Sequence, residues 1–568
     1  MNQNGEVQLK DISILITGQA GQGIQTVETV LSELFLQAGY NVFATKEYMS
    51  RVRGGANSTE IRISQKPVRA CVDRIDILLA LDDVITETIA GRINENTLVI
   101  GENIRDLKGM NEKVGFTSMA RELGNPVFSN VVATGAALAV LNIGIDLPLK
   151  HIEKIFSKKG RDIVEKNLAA LKKGYEAGDA IRKRRAFPNF SPQSGRESQF
   201  LVNGTQAVGL GAIAGGCNFI SAYPMSPSTG VFTFLAERGK KENIIVEQAE
   251  DEISAVNMVL GASYAGSRGL VNTSGGGFAL MEEGISLAGM TETPVVIHIA
   301  QRPGPATGLP TRTEQGDFNL ALYSGHGEFP RIIFAPGRIE EAFVLTQRAF
   351  DLADKYQVPV FILTDQYFLD SYYNLPRFPE AGEKAKKGYI VKTGRDYKRY
   401  LFTENGVSPR GIPGYGDGFV CVDSDEHDEN GRITEDMDIR RKMVEKRWKK
   451  LALVKEEIIS PEFYGDREYR VLLIGWGSTF HIIKEAVNNI GTKGIGVLHF
   501  SQLYPLSKDT EAYLGRAEKV ISIESNFAGQ FADFITAGTG CVINHRINKY
   551  TGLPFSVEEM ESSLRKEL

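Results

Sequence analysis

The chain has 568 residues with a net charge of −5, enough for three to four domains and without the basic field of a nucleic-acid binder. The first residues, MNQNGEVQLKD, lack the apolar core of a signal peptide, and no run approaches the ~18 uncharged apolar residues of a membrane span. A cytoplasmic protein that contacts neither nucleic acid nor membrane is expected.

In chain order, the first strong element is SILITG, a buried-strand run. The glycine loop ITGQAGQGIQT follows, and then a helical pattern from Ile24 to Ala38. Gly18 and Gly23 have P-loop spacing, but Ile24 and Gln25 stand where Lys and Ser/Thr belong. The dinucleotide pattern fails as well, because Thr26 replaces its third glycine. Two readings remain open: backbone amides at the helix start that take an anion, or a tight turn with no ligand. IDILLALD and TLVIG continue as strands, and VVATGAALAVLNIG reads as a small-residue helix. Residues 10–185 are therefore an α/β unit. The run Arg182–Arg185 reads as a solvated helix end. AFPNFSPQSGRES, residues 186–198, reads as a linker.

A second α/β unit spans 199–375, with strands IIVEQ, GLVNTS, PVVIHIA, RIIFAPG and VPVFILTD. Alternation with helical patterns predicts a largely parallel sheet covered on both faces. Residues 376–465 form a polar connector that ends in a charged helix. YRVLLIGWGS, GIGVLHF and KVISIESN open a third α/β unit over 466–568.

Three segments of the second unit carry candidate chemistry. AYPMSPSTG holds two prolines that stiffen a loop, with Ser226, Ser228 and Thr229 as hydroxyl donors. A rigid connecting loop is the competing reading. Glu250, Asp251 and Glu252 open a helix rich in small residues, with Gly261 nine residues after Glu252. First-turn acids also favour a helix dipole, but the small residues predict that something packs very close. In the third segment Gly275, Gly276 and Gly277 allow backbone to approach a ligand. Arg302 follows a strand end and Arg312 lies in LPTRTEQGD. Each suits a carboxylate or a structural salt bridge.

Taken together, YPMSPST, EDEISA, TSGGGFALM with EEGISLAGMTETPVV, TGLPTRTEQGD and GHGEFPRIIFAPG occur in that order. This resembles the alpha subunit of the 2-oxoacid:ferredoxin oxidoreductases. VISIESNFAGQ is similar to the family's E-x-N-x-x-G-Q. ITGQAGQGIQT with TKEYMSRVRGGANS is similar to its gamma subunit. The resemblance implies a gamma–alpha fusion: a Rossmann-like gamma domain, a pyrimidine-type thiamine domain and a transketolase C-terminal-like domain. It implies that Glu252, with Glu250 as runner-up, hydrogen-bonds the thiamine pyrimidine ring and so helps remove the thiazolium proton. Tyr223, Ser226, Arg302 and Arg312 would hold substrate, and Gly275 and Gly276 would approach thiamine. The Gly18, Gly21 and Gly23 loop, with Arg51 or Arg53, would approach a coenzyme A phosphate or shape its pocket.

The resemblance also implies what lies elsewhere. No G-D-G with an Asn about thirty residues on is present in a suitable place. Gly416-Asp417-Gly418 sits in the connector, with Asn430 only 12 residues beyond. The cysteines, Cys71, Cys217, Cys421 and Cys541, are too scattered for a cluster. DSDEHDENG departs from a calcium loop at His427 and Asp428. Hence no metal is expected on this chain. A beta subunit would carry thiamine diphosphate, Mg2+ and an iron–sulfur cluster, and would assemble with this chain as a dimer of heterodimers. The implied reaction converts a 2-oxoacid and coenzyme A to acyl-CoA and CO2, with electrons to ferredoxin. 2-Oxoglutarate is the expected acid. Pyruvate, a branched-chain 2-oxoacid, or a binding subunit with a vestigial thiamine site are the alternatives.

Overall fold

DISILITGQ forms strand β1 (Asp11–Gln19), buried along almost its full length. A computed structural model describes residues 11–19, 23–49, 56–82, 85–104, 107–185, 199–380 and 389–568. They divide into two compact units. The first draws on Met1–Val202, Ser371–Arg377 and Ser556–Glu559, the second on Asn203–Asp370, Phe378–Phe555 and Met560–Leu568.

The first unit is built on an eight-stranded sheet. Its strands are β1, β2 (Asn41–Glu47), β3 (Ala56–Ser64), β4 (Ile77–Ala80), β5 (Leu98–Gly101), β6 (Met110–Lys113), β7 (Phe200–Asn203) and β14 (Tyr372–Leu375). They lie in the order β6-β5-β4-β1-β3-β2-β14-β7. The β1, β4, β5 and β6 half is parallel, as an alternating unit should be. The β1-β3-β2-β14 half is antiparallel. NVFATKE and ANSTEIRIS are not apolar runs, so hydrophobicity does not mark them. Their polar side chains are buried and paired instead: Arg62 with Asp11, and Glu60 with Arg92 at 2.9 Å. The small-residue helix Ser129–Val140 crosses helix Arg161–Arg184 at backbone contact. A Cβ at Gly174 would overlap the Val132 carbonyl, and one at Gly178 the Ala136 carbonyl. The charged end of the second helix is paired: Arg184 and Arg185 each meet Glu112 at 2.9 Å. The proposed linker, residues 186–198, lies outside the described residues.

The second unit contains two sheets. One has seven strands: β8 (Phe219–Ala222), β9 (Ile245–Gln248), β10 (Gly269–Thr273), β11 (Val295–Gln301), β12 (Ile332–Phe334), β13 (Pro359–Asp365) and β18 (Gln502–Tyr504). Their order is β18-β12-β13-β11-β10-β8-β9, and only β18 runs antiparallel to its neighbour. The five-stranded sheet has β15 (Glu462–Gly465), β16 (Val471–Trp476), β17 (Ile495–Phe500), β19 (Lys519–Glu524) and β20 (His545–Asn548), ordered β15-β17-β16-β19-β20. One apolar core, including Phe278, Phe318, Trp476, Phe500 and Phe531, runs through both.

The connector is anchored by buried charge. Lys446 donates to both carboxylate oxygens of Glu292, at 2.7 and 2.9 Å, and Lys450 pairs with the same carboxylate. Arg399 donates to the Glu292 carbonyl and to the Gln357 side chain, both at 2.8 Å. His427 of DSDEHDENG is buried and lies over Tyr400, with ring centroids 3.9 Å apart. Glu426 is held by Arg440 and Arg447. This segment is thus a docking element, with its acids turned to structural partners. Gly416-Asp417-Gly418 is equally local: the amides of Asp417 and Gly418 bond to the carbonyl and hydroxyl of Thr393. Among the described residues, no group of three or more His, Cys, Asp or Glu is placed to hold a metal ion. Among them, too, no helix is long and apolar enough to cross a membrane.

Candidate active site

Four adjacent parallel strands, β11, β10, β8 and β9, end on one side of the seven-stranded sheet. Ligands of open α/β sheets bind at such carboxyl ends. The candidate segments all leave from these strands. Tyr223–Ser228 follows β8, Glu250–Glu252 follows β9, Ser274–Phe278 follows β10, and Arg302 follows β11.

The acid triplet is resolved by burial. Glu250 is exposed. Asp251 is the N-cap of helix Glu252–Tyr264, and its carboxylate accepts from the Ser254 amide at 2.7 Å. Glu252 points inward and is 3% exposed, and its Oε1 has no hydrogen-bond partner in the chain. Burial raises its proton affinity above the usual glutamate range, and the nearby Asp251 charge adds to that. A buried carboxyl oxygen left without a partner is costly, and a ligand donor is its natural complement.

The glycine run opposite Glu252 is not uniform. A Cβ at Gly277 would overlap Glu252 Oε1 and Thr273 Oγ1. A Cβ at Gly275 would lie 2.5 Å from Asp317 Cγ. Gly276 is freer, with only the Ala306 carbonyl near, at 3.5 Å. Glycine is thus required by the protein itself at 275 and 277, while the side-chain position at 276 is open. Asp317 is not singled out by the sequence, although it stands in the quoted LPTRTEQGD. Asp317 is raised to about 7 by burial and by Glu314, partly offset by Arg302.

Arg302 and Ser226 come together: Arg302 Nη1 donates to the Ser226 carbonyl at 2.6 Å. Ser226 and Tyr223 are exposed at this edge, leaving the Ser226 hydroxyl accessible. Ser228 is buried and donates to the Met225 carbonyl at 2.7 Å, so it serves the loop. Arg312 lies on a loop fixed on both sides. The Thr313 amide donates to the Gly552 carbonyl at 3.1 Å, and the Thr313 hydroxyl to Asp365 at 3.1 Å. The Gln315 amide donates to the Ser525 carbonyl at 2.7 Å, its side-chain oxygen accepts from the Ser525 amide at 2.9 Å, and its Nε2 donates to the Trp476 carbonyl at 2.9 Å.

The E-x-N-x-x-G-Q segment does structural work. Glu524 is buried and accepts from the Trp476 indole and from the Phe531 and Ala532 amides. Gln530 donates to the Gly316 carbonyl at 2.7 Å. The motif therefore holds the loop that bears Arg312 and Asp317.

Helix Glu252–Tyr264 is covered only on its inner face. Gly284 meets Val256, but a Cβ at Gly261 would find nothing within 4 Å. Within the described chain, the close neighbour expected at Gly261 is not there. In the first unit, Gly18 pairs with Asn57 in the β1/β3 ladder. Gly23, at φ 76°, caps helix Ile24–Gln37, and a Cβ on it would overlap the Asn130 side chain. Gly21, Arg51 and Arg53 lie outside the described residues.

A family model described as "Pyruvate flavodoxin/ferredoxin oxidoreductase, thiamine diP-bdg" matches residues 210–446. One described as "Pyruvate ferredoxin/flavodoxin oxidoreductase" matches residues 13–177. Fold, site and these matches define an α/β oxidoreductase subunit with a thiamine-diphosphate-binding domain. A 2-oxoacid:ferredoxin oxidoreductase subunit alpha from Sulfolobus is 33% identical, over 98% of this chain and 96% of that protein. The 2-oxoglutarate oxidoreductase subunit KorA of Mycobacterium tuberculosis is 28% identical over 99% and 92%. The structure of the 2-oxoglutarate:ferredoxin oxidoreductase from Magnetococcus marinus, with 2-oxoglutarate, coenzyme A and succinyl-CoA bound, superposes with a TM-score of 0.91 at 31% identity. It covers 99% of this chain and 100% of that one. The chain belongs to the alpha subunits of the 2-oxoacid:ferredoxin oxidoreductases.

Proposed function

We propose that this subunit activates thiamine diphosphate and orients the substrate in the coenzyme-A-dependent oxidative decarboxylation of 2-oxoglutarate. The observation that carries the reading is Glu252, buried with an unpartnered Oε1 against Gly277, at the ends of four parallel strands. When bound, thiamine diphosphate supplies the carbanion chemistry at the keto carbon. Glu252 holds or gives a proton at Oε1, which its raised proton affinity permits. Gly275 and Gly276 line the approach to the cofactor. Arg302, Ser226 and Tyr223 orient the carboxylate beside the keto group. Arg312, on its fixed loop, takes the distal carboxylate.

Residues 10–185 form the gamma-type domain and 186–198 the linker. Residues 199–375 form the pyrimidine-type domain, 376–465 the connector and 466–568 the transketolase C-terminal-like domain. The loop of Gly18, Gly21 and Gly23, with Arg51 or Arg53, approaches a coenzyme A phosphate or shapes its pocket. A beta subunit carries the diphosphate grip, Mg2+ and the iron–sulfur cluster, and ferredoxin takes the electrons. The relatives named for 2-oxoglutarate, and the Magnetococcus structure that holds it, favour this acid over pyruvate or branched-chain acids.

The test is a 2-oxoacid panel with the purified heteromer, coenzyme A and a viologen dye. 2-Oxoglutarate should give the highest kcat/KM, and Glu252→Ala should abolish dye reduction while assembly persists. Equal activity of the variant would overturn the Glu252 role and leave a binding or regulatory subunit.

A further inference from the structure

A second carboxyl faces the glycine run from the side opposite Glu252. Asp317 is the N-cap residue of the short helix Phe318–Leu322, a place where an acid ordinarily caps through its side chain. Here no side-chain cap forms. The carboxyl turns instead against Gly275, whose missing side chain makes room for it. The residue is only partly covered, but its Oδ2 is buried and without a hydrogen-bond partner in the chain. Its backbone is fixed, since the Asp317 amide donates to the Gln301 side-chain carbonyl at 3.0 Å. Gln301 precedes Arg302, so the loop and the β11 end are tied at the point where the guanidinium emerges.

Two charged groups face this carboxyl. Glu314, on the same loop, favours its protonated form, and Arg302 favours its ionised form. The Gly275 turn brings no charge. Arg302 is thus the cation that acts on Asp317, with no ion pair joining the two. An incoming carboxylate at Arg302 offsets that cation and places a second anion near Asp317. Two anions sharing one cation raise each other's proton affinity.

We propose that Asp317 is a proton-exchanging positioning residue of this site, which takes a proton from solvent onto Oδ2 when an anionic substrate group binds at Arg302. This rests on the reading of Arg302 as a substrate-carboxylate group. The proton balance is simple: one proton leaves the solvent for Asp317 as the carboxylate binds, and it returns when the acid leaves. No bond to carbon is involved. Substrate binding then weakens as pH rises through the range where Asp317 ionises, while chemistry at Glu252 is not directly affected. The poise near 7 places that range at neutral pH.

The experiment uses the thiamine-loaded heteromer and N-oxalylglycine, an amide isostere of 2-oxoglutarate that resists decarboxylation, or oxamate if a three-carbon acid wins the panel. Calorimetry in two buffers of different ionisation heat counts the protons. About half a proton should be taken up per ligand at pH 7, falling towards zero in Asp317→Asn. KM for the substrate should rise several-fold from pH 6 to 8.5 in the native enzyme and stay flat in Asp317→Asn, with kcat changing less. Asp317→Ser, which removes the carboxyl with less bulk, should behave alike. No proton uptake by the native complex between pH 6 and 8 would overturn the proposal without recourse to any variant. So would uptake that persists unchanged in a folded Asp317→Asn. Arg302→Ala separates the two readings. If it leaves inhibitor affinity unchanged, the carboxylate role of Arg302 falls and the proposal with it. If it weakens binding while Asp317→Asn keeps native proton uptake, only the role of Asp317 falls.

Discussion

Gly277 leaves the space that the carboxyl of Glu252 occupies: a side chain at 277 would stand 2.8 Å from Glu252 Cδ and overlap Oε1. Gly277→Ala should therefore push the carboxyl aside rather than unfold the sheet. A misplacement of ~1 Å can cost about 100-fold in rate. We expect kcat/KM of the heteromer to fall about 10- to 100-fold. A variant with native kinetics would mean that Glu252 is free to move, and its fixed position would lose its meaning.

Glu252→Gln should abolish activity yet stabilise the chain. The folded state raises the proton affinity of this group, so folding binds protons and ionised Glu252 opposes it. Stability therefore falls as pH rises from the ordinary glutamate value through the raised one. The variant should melt above the native protein at pH 7–8, and the gap should close near pH 4. Active sites commonly trade stability for function in this way. A lower melting point at pH 8 would contradict the sign.

Removal of the Glu292 charge tests the connector. Glu292 is held well below the usual carboxylate range by Lys450, Lys446 and Arg399, against the opposing effect of burial. Lys450 is lowered to about 7, by burial first. Glu292→Gln leaves the buried Lys446 ammonium, and the protonated fraction of Lys450, without a counter-ion, and breaking such a pair costs about 3–5 kcal/mol. Chemical denaturation should show that loss at pH 7. The deficit should shrink towards pH 10, because neutral lysines no longer need the carboxylate.

Gly261→Ala gives the opposite outcome to Gly277→Ala. The helical position faces open space, so alanine should stabilise the isolated chain by about 0.5–1 kcal/mol. Thermal melting of the chain alone reads this directly.

Much of this was legible in the sequence, for physical reasons. Apolar runs such as SILITG and VPVFILTD mark buried parallel strands because both faces are covered. The family resemblance puts Glu252 ahead of Glu250, and burial is what separates the two in the fold. β3 escapes because its buried groups are charged pairs, Arg62 with Asp11 and Glu60 with Arg92, and β2 because the polar residues Asn41 and Thr45, bonded to Asn374 and Ser371, interrupt its apolar run. Asp317 escapes because its setting is made by Gly275 and Arg302, both distant in sequence. The glycine run reads as three equal residues, and only the fold separates 275 and 277 from 276. Glu524 carries a recognisable motif, but its four hydrogen-bond donors come from the Trp476 side chain, the Asn526 side chain and a helix start.

The strand Gln502–Tyr504 has a consequence for anyone who cuts this chain. It leaves the C-terminal segment to seal the rim of the seven-stranded sheet at Ile332–Phe334. A fragment that stops before residue 460 would bare that row of backbone donors and acceptors, along with the apolar core under Trp476 and Phe531. Bare sheet edges recruit other strands. Such a fragment should aggregate on expression, even though its own strands and its Glu252 helix are all present.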